Sequence, residues 1–287
     1  MKGISLVGVS SKRANGLKKA FERQGVELEI VSYRTLNKKL KNGELTRPLS
    51  QYWDFCVVDF FDTTQYIRTC KILTDDGIRL FNTVSATQIC RDKFITYQTF
   101  LKFNIPQMET YGTYEEAIEA GLMDNSRVVV KERTGMQGRN VFLCKNDDDV
   151  QSAIAKIRKH RGNYVIQAFC ETTKNRAVRV VCINGKHIGS YIKVAKDGDF
   201  RVNISQGATG IKEVAPAEFI RVAEKCANIA GTDLCAVDLM FGENDSPIVC
   251  EINSMPGFRG GLDEVFGIDP EELWVKYIIE QSSKIKK

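Results

Sequence analysis

Two acidic side chains near the end of the chain have the spacing of a metal site on a β-hairpin. Residues 234–253 form two apolar runs around the turn sequence GENDS, which predicts two antiparallel strands. If Phe241 pairs with Ile248, then Asp238 lies opposite Glu251. Carboxylates directly across a ladder repel each other, so a cation between them would stabilise the pair. Oxygen ligands without His or Cys suit Mg²⁺.

Strict alternation divides the side chains of this hairpin between two faces. The apolar face is predicted to be core and consists of Val237, Leu239, Phe241, Ile248, Cys250 and Ile252. The other face carries the two carboxylates together with Met240, Val249 and Asn253. The alternative to a metal site is that both carboxylates face solvent, each paired with a Lys or Arg. Sheet geometry alone leaves the two interpretations open.

A glycine-containing loop between two predicted strands is a candidate anion site. Residues 131–140 read KERTGMQGRN and lie between strands predicted at 127–132 and 141–144. Gly135 and Gly138 would let backbone N–H groups approach a phosphate closely. The chain contains no Gly-Lys-Ser/Thr sequence, so this is not a Walker A loop. An ordinary hairpin turn is the alternative.

A scattered set of cations could converge on the same anion. Its members are Lys93, Lys131, Arg179, Lys193 and Arg201. Lys131 follows three valines in a predicted strand, where a charged side chain needs an anionic partner. Taken one at a time, residues of these types are more often surface charges.

Composition excludes several other classes of protein. The 287 residues carry 41 basic and 36 acidic side chains, and the basic runs at 34–41 and 156–161 fit solvated surfaces, so no nucleic-acid partner is predicted. Nine cysteines without CxxC spacing and only two histidines exclude a zinc site. Scattered thiols favour a reducing, cytoplasmic location. No run of 18 apolar residues is present, so no membrane association is predicted.

The opening segment alternates strands with helices. Strands are predicted at 4–9, 26–31, 52–58 and 79–81, with helices at 14–24 and 66–75. This alternation indicates an α/β lobe with a parallel sheet covered on both faces, at residues 1–88. The first strand runs into GVSSKR rather than GxGxxG, which excludes a dinucleotide-binding dehydrogenase.

The rest of the chain has a mixed pattern. Helices are predicted at 91–104, 113–120, 147–160 and 216–230, and strands at 106–111, 164–170, 178–183, 186–194 and 200–203. The dipeptides Asn184-Gly185 and Asp197-Gly198 are strong signals for hairpin turns. The second part of the chain is therefore predicted to contain antiparallel sheets.

Taken in order, several of these segments resemble the ATP-grasp superfamily. They are Asp92-Lys93, Lys131 with its glycine loop, Gln167-Ala168-Phe169, DFRVN at 199–203, Asp238, and EINSMPG at 251–257. The similarity covers nearly the whole chain and is specific for the RimK-like and LysX-like branch. It implies an ATP-grasp fold, in which a Rossmann-like lobe (1–88) precedes two α+β lobes (89–170 and 171–287) that clamp ATP.

The resemblance also implies roles for individual residues. The nucleotide-binding residues would be Lys93, Lys131, Lys193, Gly135, Gly138, Gln167, Ala168, Phe169, Cys170 and Glu171. The catalytic residues would be Arg179, Arg201 and Asn203. Asp238, Glu251 and Asn253 would hold Mg²⁺, expected as two ions, with Mn²⁺ as an alternative.

The sequence departs from the family pattern where the ribose is bound. Ala168 stands where many members have an acid in the hinge, and Ala177 replaces a second acid before Arg179. Glu171 is a candidate substitute for either of them.

The implied activity is ATP-dependent ligation of a carboxylate to an amine through an acylphosphate, on amino-acid or peptide substrates. An alternative is a ligase that forms ester or amide crosslinks in a precursor peptide. An alternative of another class is a non-catalytic ATP-binding regulator, which would have less need of both acids and Arg201. His187 is a candidate base, with a structural role as the alternative. Relatives in this branch are commonly dimers or tetramers, so the resemblance implies a homodimer or a homotetramer.

Overall fold

Three β-sheets follow one another along the described part of the chain, one parallel and two antiparallel. The computed structural model describes residues 1–8, 12–58, 64–124, 127–135, 138–173, 175–196, 208–211, 213–256, 262 and 267–285. Among the helices it describes, none is long and apolar enough to cross a lipid bilayer.

The first sheet is parallel, as the alternating pattern predicts. Its strands are β1 (Lys2–Val7), β2 (Glu27–Ser32), β3 (Phe55–Val58) and β4 (Arg79–Phe81), in the order β2-β1-β3-β4. Parallel neighbours need crossover connections, and helices α1 (Lys12–Arg23), α2 (Tyr33–Lys41) and α3 (Thr64–Asp75) lie within them. Helix α2 was not predicted, because its basic residues fit a solvated charged run. Its buried Tyr33 and Leu36, three positions apart, anchor it.

The second sheet is antiparallel and has the order β5-β8-β6-β7. Its strands are β5 (Thr110–Tyr111), β6 (Val128–Glu132), β7 (Val141–Cys144) and β8 (Tyr164–Ala168). Helices α6 (Tyr114–Glu119) and α7 (Asp147–Lys159) pack against this sheet. Helices α4 (Val84–Arg91) and α5 (Lys93–Leu101) precede it in the chain, and their buried Cys90 and Phe100 belong to the core of the third sheet.

The helix predicted at 91–104 is confirmed as α5 with narrower bounds, whereas α4, which precedes it across a break at Asp92, was not predicted. Asp92 has extended backbone angles, and its Oδ1 accepts hydrogen bonds from the N–H groups of Phe94 and Ile95 at 3.0 and 3.2 Å. These contacts make Asp92 the N-cap of α5. Lys93 is therefore the first residue of a helix, which fixes its position.

The third sheet is also antiparallel and has the order β11-β10-β9-β12-β13. Its strands are β9 (Arg176–Ile183), β10 (Lys186–Val194), β11 (Thr209–Ile211), β12 (Leu234–Phe241) and β13 (Pro247–Asn253). Asn184 and Gly185 both have positive φ (51° and 69°) between β9 and β10, which confirms the predicted turn. The predicted strand 200–203 and the Asp197-Gly198 turn lie outside the described residues.

The β12–β13 hairpin has a register that strict alternation does not predict. Phe241 pairs with Pro247 rather than Ile248, so the expected starting register is wrong. A bulge between Asp238 and Leu239 on one strand and Val249 and Glu251 on the other then shifts the pairing by one residue. Asp238 therefore does face Glu251.

The bulge also corrects the predicted division of faces. The extra residue is Cys250, which lines a cleft instead of joining the core. Val249, predicted on the polar face, is buried in the core with Leu239. Ile248 is only partly buried. A single inserted residue has thus moved three side chains of β13 to different surroundings.

The two faces of the third sheet bury different groups. One face packs Val178, Val180 and Cys182 against α8 (Ala217–Ala230). On the opposite face, Val181 and Ile183 join a core shared with the first sheet and with α9 (Pro270–Ile285), a helix that was not predicted. The alternate residues nearer the start of β9 are Ala177 and Arg179, and they face the candidate site.

Candidate active site

A cleft lined by residues of the two antiparallel sheets contains most of the side chains predicted to bind nucleotide. It has a volume of about 950 Å³, and its walls include Lys93, Lys131, Lys193, Asp238 and Glu251. In all, five cationic side chains and three carboxylates line it, and this excess of positive charge suits a polyphosphate. A second cavity of about 760 Å³ shares the wall formed by Lys93 and Glu251 and is also lined by Asn253.

Asp238 lies at the centre of a buried charge cluster. Arg179, its partner across β9 and β12, donates from Nε to Oδ1 at 2.8 Å and from Nη2 to Oδ2 at 2.6 Å. Lys193 Nζ lies 3.0 Å from Oδ1. The side chains of Asp238 and Lys193 are 4% and 3% exposed, so solvent screens the cluster little.

These contacts set the charge states of all three groups. Burial opposes ionisation of Asp238, but Arg179 and Lys193 hold the pKa of its carboxyl well below the usual range. Burial likewise opposes the charge on Arg179, and the attraction of Asp238 outweighs it and raises the pKa of the guanidinium. For Lys193 burial dominates, and its pKa is lowered despite Asp238. Asp238 is therefore a carboxylate that already has two cationic partners.

Glu251 and Asn253 complete an oxygen-rich set beside Asp238. Asn253 Nδ2 donates to Glu251 Oε1 at 3.1 Å, which leaves the amide oxygen of Asn253 and the second oxygen of Glu251 as potential ligands. Within the described ranges, no group of three or more His, Cys, Asp or Glu side chains is placed to hold a metal ion. Two carboxylates and an amide fit Mg²⁺ that is held jointly with nucleotide phosphates and water, rather than in a cage made by protein alone.

Two lysines project into the cleft from separate elements. Lys93 Nζ donates to the carbonyl oxygen of Gly135 at 2.8 Å. Burial lowers the pKa of Lys93, with Glu251 opposing this effect and the nearby Lys131 adding to it. Lys131 is 6% exposed, and its Nζ donates to Gln167 Oε1 at 2.8 Å. Because this partner is a neutral amide, the charge of Lys131 remains available to an anion in the cleft.

The glycine loop is attached to the base of α5. Arg133 Nε contacts both carboxylate oxygens of Asp92, at 2.6 and 2.7 Å, and the Lys93 amide donates to the Arg133 carbonyl at 3.0 Å. Gly135 and Gly138 line the cleft, and Gly138 has a φ of 70°, in the left-handed region that favours glycine. Positions 136 and 137 lie outside the described residues.

The predicted hinge residues, from Gln167 to Cys170, line the cleft. The amide of Ala168 donates to the Glu109 carbonyl at 2.9 Å and that of Phe169 to the Arg127 carbonyl at 3.1 Å. These two backbone amides are therefore already engaged within the protein.

Glu171, the candidate ribose ligand, does not line the cleft. Its carboxylate forms a two-point ion pair with Arg127, in which Nε lies 2.8 Å from Oε1. For Glu171 to bind ribose, this exposed ion pair would have to open. The role of Glu171 in ribose binding stays a prediction.

Two of the three residues predicted to be catalytic, Arg201 and Asn203, lie outside the described residues. The third, Arg179, contacts Asp238. His187 lies on β10, where its Nε2 is 3.2 Å from Ser190 Oγ, and it is not among the residues that line either cavity. Burial lowers its pKa.

The cleft also contains residues that the sequence analysis did not select. Cys250 lines the cleft together with the two acids and Lys131, and Arg176 and Arg139 add positive charge. Arg176 also lies over the ring of Phe241, 4.4 Å from its centroid. The position of Cys250 depends on the bulge, which no sequence signal marks. Alternation would not have selected Arg176, since it lies three positions before Arg179 on the same strand and residues at that spacing point to opposite faces.

Comparison with known proteins assigns the family. Residues 90–278, more than half of the chain, match the RimK-like ATP-grasp domain. The chain therefore belongs to the RimK-like ATP-grasp family, which confirms the resemblance seen in its motifs. A crystal structure of D-alanine–D-alanine ligase from Bacillus anthracis superimposes with a TM-score of 0.76 at 17% identity, covering 99% of this chain and 98% of that one. This similarity confirms the ATP-grasp fold.

Two curated relatives show the range of named activities. N-acetylaspartylglutamate synthase A of Homo sapiens is 31% identical over 200 residues, which are 67% of this chain and 50% of the relative. Beta-citrylglutamate synthase B of Danio rerio is 29% identical over 218 residues, which are 74% of this chain and 53% of the relative. The chain thus spans about half the length of the curated relatives it matches.

Proposed function

We propose that the chain is an ATP-dependent carboxylate–amine ligase. The observation that carries this proposal is the facing pair Asp238 and Glu251 at the wall of a cationic cleft that Lys131 and the hinge residues also line. A pure nucleotide-binding protein has less need of two facing carboxylates beside the phosphate-binding cations. Membership of the RimK-like ATP-grasp family supports the same activity.

The proposed reaction has two steps. An oxygen of the substrate carboxylate attacks the γ-phosphorus of ATP, the bond from that phosphorus to the β–γ bridging oxygen breaks, and ADP leaves with the electron pair. The amine then attacks the carbonyl carbon of the resulting acylphosphate. The bond from that carbon to the phosphate oxygen breaks, inorganic phosphate leaves, and the new amide nitrogen loses one proton.

The residues of the cleft bind and orient the reactants. Lys93, at the start of α5, and Lys131, on β6, would hold the phosphates, with Lys93 exchanging the Gly135 carbonyl for a phosphate oxygen. Arg179 and Lys193 balance the charge of Asp238 and keep its carboxylate in a fixed position. When Mg²⁺ is bound, proposed here as two ions on Asp238, Glu251 and Asn253, it neutralises charge that develops on the transferred phosphoryl group.

We propose glutamate as the first amine substrate to test. The curated relatives named above share glutamate in the names of their products, N-acetylaspartylglutamate and beta-citrylglutamate. Free amino acids, short peptides and small di- and tricarboxylates are the matching candidates for the carboxylate partner.

All nine cysteines are free thiols, which supports the proposal of a reducing, cytoplasmic location.

The test is a matrix of carboxylates and amines screened for ADP release with ATP and Mg²⁺, with products identified by mass. We expect ADP release that depends on both substrates and a product mass equal to their sum less water. Glu251→Gln should lose turnover, whereas Glu243→Gln, on the exposed turn of the same hairpin, should retain it. ATP binding without turnover across the whole matrix would instead favour the non-catalytic regulator.

A further inference from the structure

Asn82 connects the first sheet to the hairpin that carries the acidic pair. It follows β4 directly, and it is fully buried. Its Nδ2 donates to the carbonyl oxygens of Leu234 at 2.8 Å and Ser254 at 2.6 Å. Its Oδ1 accepts from the amides of Asp233 at 2.6 Å and Leu234 at 3.0 Å. All four hydrogen-bonding sites of the side-chain amide are therefore used.

These bonds extend the hairpin ladder beyond its last backbone pair. Pairing between β12 and β13 ends at Ala236 and Asn253. Past that point the side-chain amide of Asn82 lies between Leu234 and Ser254 and binds both strands, as a peptide group of an intervening strand would. The open end of the hairpin is thus closed by a residue from another sheet.

The closed end lies next to the proposed metal ligands. Ser254 directly follows Asn253, and Asn253 Nδ2 donates to Glu251. A continuous series of bonds therefore runs from Asn82 through the Ser254 carbonyl to Asn253 and Glu251. In the other direction, the chain that follows Asn82 forms α4 and then α5, and the first residue of α5 is Lys93, which lines the cleft.

We propose that Asn82 is a positioning residue that holds Asn253 and Glu251 in the geometry needed to bind a divalent cation together with nucleotide. This inference rests on the proposed function, because it concerns the metal site of that reaction. Outer residues that orient metal ligands typically contribute about 10–100-fold to metal affinity or activity. A residue that only stabilised the fold would not change metal affinity selectively.

The test uses Asn82→Asp in the full chain. Aspartate keeps the size of the side chain and its acceptors for the Asp233 and Leu234 amides, but it loses the two donors and places an oxygen against two carbonyls. Binding of Mn²⁺ in the presence of ADP is measured by the electron paramagnetic resonance signal of free Mn²⁺. Binding of ADP without metal is measured by calorimetry. We expect Mn²⁺ affinity to fall about tenfold or more, with metal-free ADP affinity within about twofold of wild type.

Asn228→Asp is the control for the same substitution at an exposed position away from both cavities. The side-chain amide of Asn228 also donates to two backbone carbonyls in the third lobe, those of Glu224 at 2.8 Å and Gly185 at 3.4 Å. It lies on α8 and lines neither cavity, so this variant should bind Mn²⁺ and ADP as wild type does. Asn82→Ala provides a second variant that removes the bonds without adding a charge.

The outcomes separate this inference from the proposed function. Failure of the wild type to bind Mn²⁺ with ADP would overturn the metal site of the proposed function and the role of Asn82 with it. Normal binding by the wild type and equally tight Mn²⁺ binding by both Asn82 variants would overturn only the role of Asn82. If metal-free ADP binding weakened as much as Mn²⁺ binding, or if neither variant folded, Asn82 would be a residue that stabilises the fold in general. Either result would also overturn the proposed role of Asn82.

Discussion

At the residue scale, Asp238 is as much a structural charge as a proposed metal ligand. The sequence allows two alternatives, a metal between the acids or solvent-exposed acids paired with Lys or Arg. In the structure Asp238 is paired with Arg179 and Lys193, as the second alternative expects, but it is buried rather than solvent-exposed. It also faces Glu251, as the metal site requires. The cations keep it ionised when the cleft is empty, and a metal ion would share it with them.

This dual role predicts that Asp238→Asn loses stability as well as turnover. The substitution leaves Arg179 and Lys193 buried against a neutral amide, and removing one partner of a buried ion pair costs about 3–5 kcal/mol. Glu251 is only partly buried, so Glu251→Gln should cost about 1 kcal/mol or less. Urea unfolding of both variants checks this difference. A midpoint for Asp238→Asn equal to that of wild type would show that the two cations relax away from the site.

Cys250 provides a chemical probe of the cleft. The other eight cysteines are buried, whereas Cys250 is partly exposed and lines both cavities. Burial raises the pKa of its thiol, so alkylation should be slower than that of a free thiol, since the thiolate is the reactive form. We predict that iodoacetamide labels Cys250 first, and that ADP with Mg²⁺ at 100 times its Kd slows labelling about 100-fold.

Peptide mass mapping identifies the labelled residue, and Cys250→Ser is the control that should abolish fast labelling. Labelling that proceeds at the same rate with saturating nucleotide would place the bound nucleotide away from Cys250.

At the element scale, local signals predicted the hairpins well. The Asn184-Gly185 turn, strand β10 and both strands of the acidic hairpin match their predicted positions closely. These features are set by turn chemistry and period-2 alternation, which are local in sequence. The sequence was therefore sufficient to predict that Asp238 faces Glu251, but it did not predict the exact register of the hairpin.

Features that depend on packing or on a single inserted residue were not predictable in the same way. The bulge at Cys250 changes the face of three side chains, and alternation carries no mark of it. The break between α4 and α5 had a signal, because Asp92 is a favoured N-cap residue. Helix α9 was missed although its first turn carries acidic residues.

The glycine loop is predicted to act as a lid at residues 133–140. In the absence of nucleotide its base is bound by Arg133 to Asp92 and by Gly135 to Lys93. Nucleotide would draw Lys93 to a phosphate and bring the loop amides towards the same anion. Amide hydrogen exchange across 133–140 should therefore slow when ATP and Mg²⁺ bind, as lids that exclude water require. Unchanged exchange at saturating nucleotide would contradict a lid.

At the scale of the whole molecule, the first sheet and the third lobe share one core. Leu17, Phe21 and Phe55 of the first lobe pack in the same cluster as Val181 of β9 and Trp274 of α9. The C-terminal helix thus covers the N-terminal sheet, a contact between the two ends of the chain. Helix periodicity gives the apolar face of such a helix but not the distant sheet that it covers.

Trp274 is the centre of this shared core and gives a prediction about the whole fold. It is fully buried, with its ring 6.0 Å from that of Phe81 and 5.6 Å from that of Tyr277. Trp274→Ala should cost about 3–5 kcal/mol, since it leaves a large cavity between the lobes.

The conservative variant separates the contributions of ring volume and polarity. The indole N–H of Trp274 has no hydrogen-bond partner among the residues that the structure describes, and an unpaired buried donor costs about 1–3 kcal/mol. Trp274→Phe removes this donor and keeps most of the apolar surface, so its unfolding midpoint should lie much closer to wild type than that of Trp274→Ala. Thermal and urea unfolding measure both variants. Equal losses in the two would mean that the N–H has a partner, such as a buried water, whose loss outweighs the retained ring.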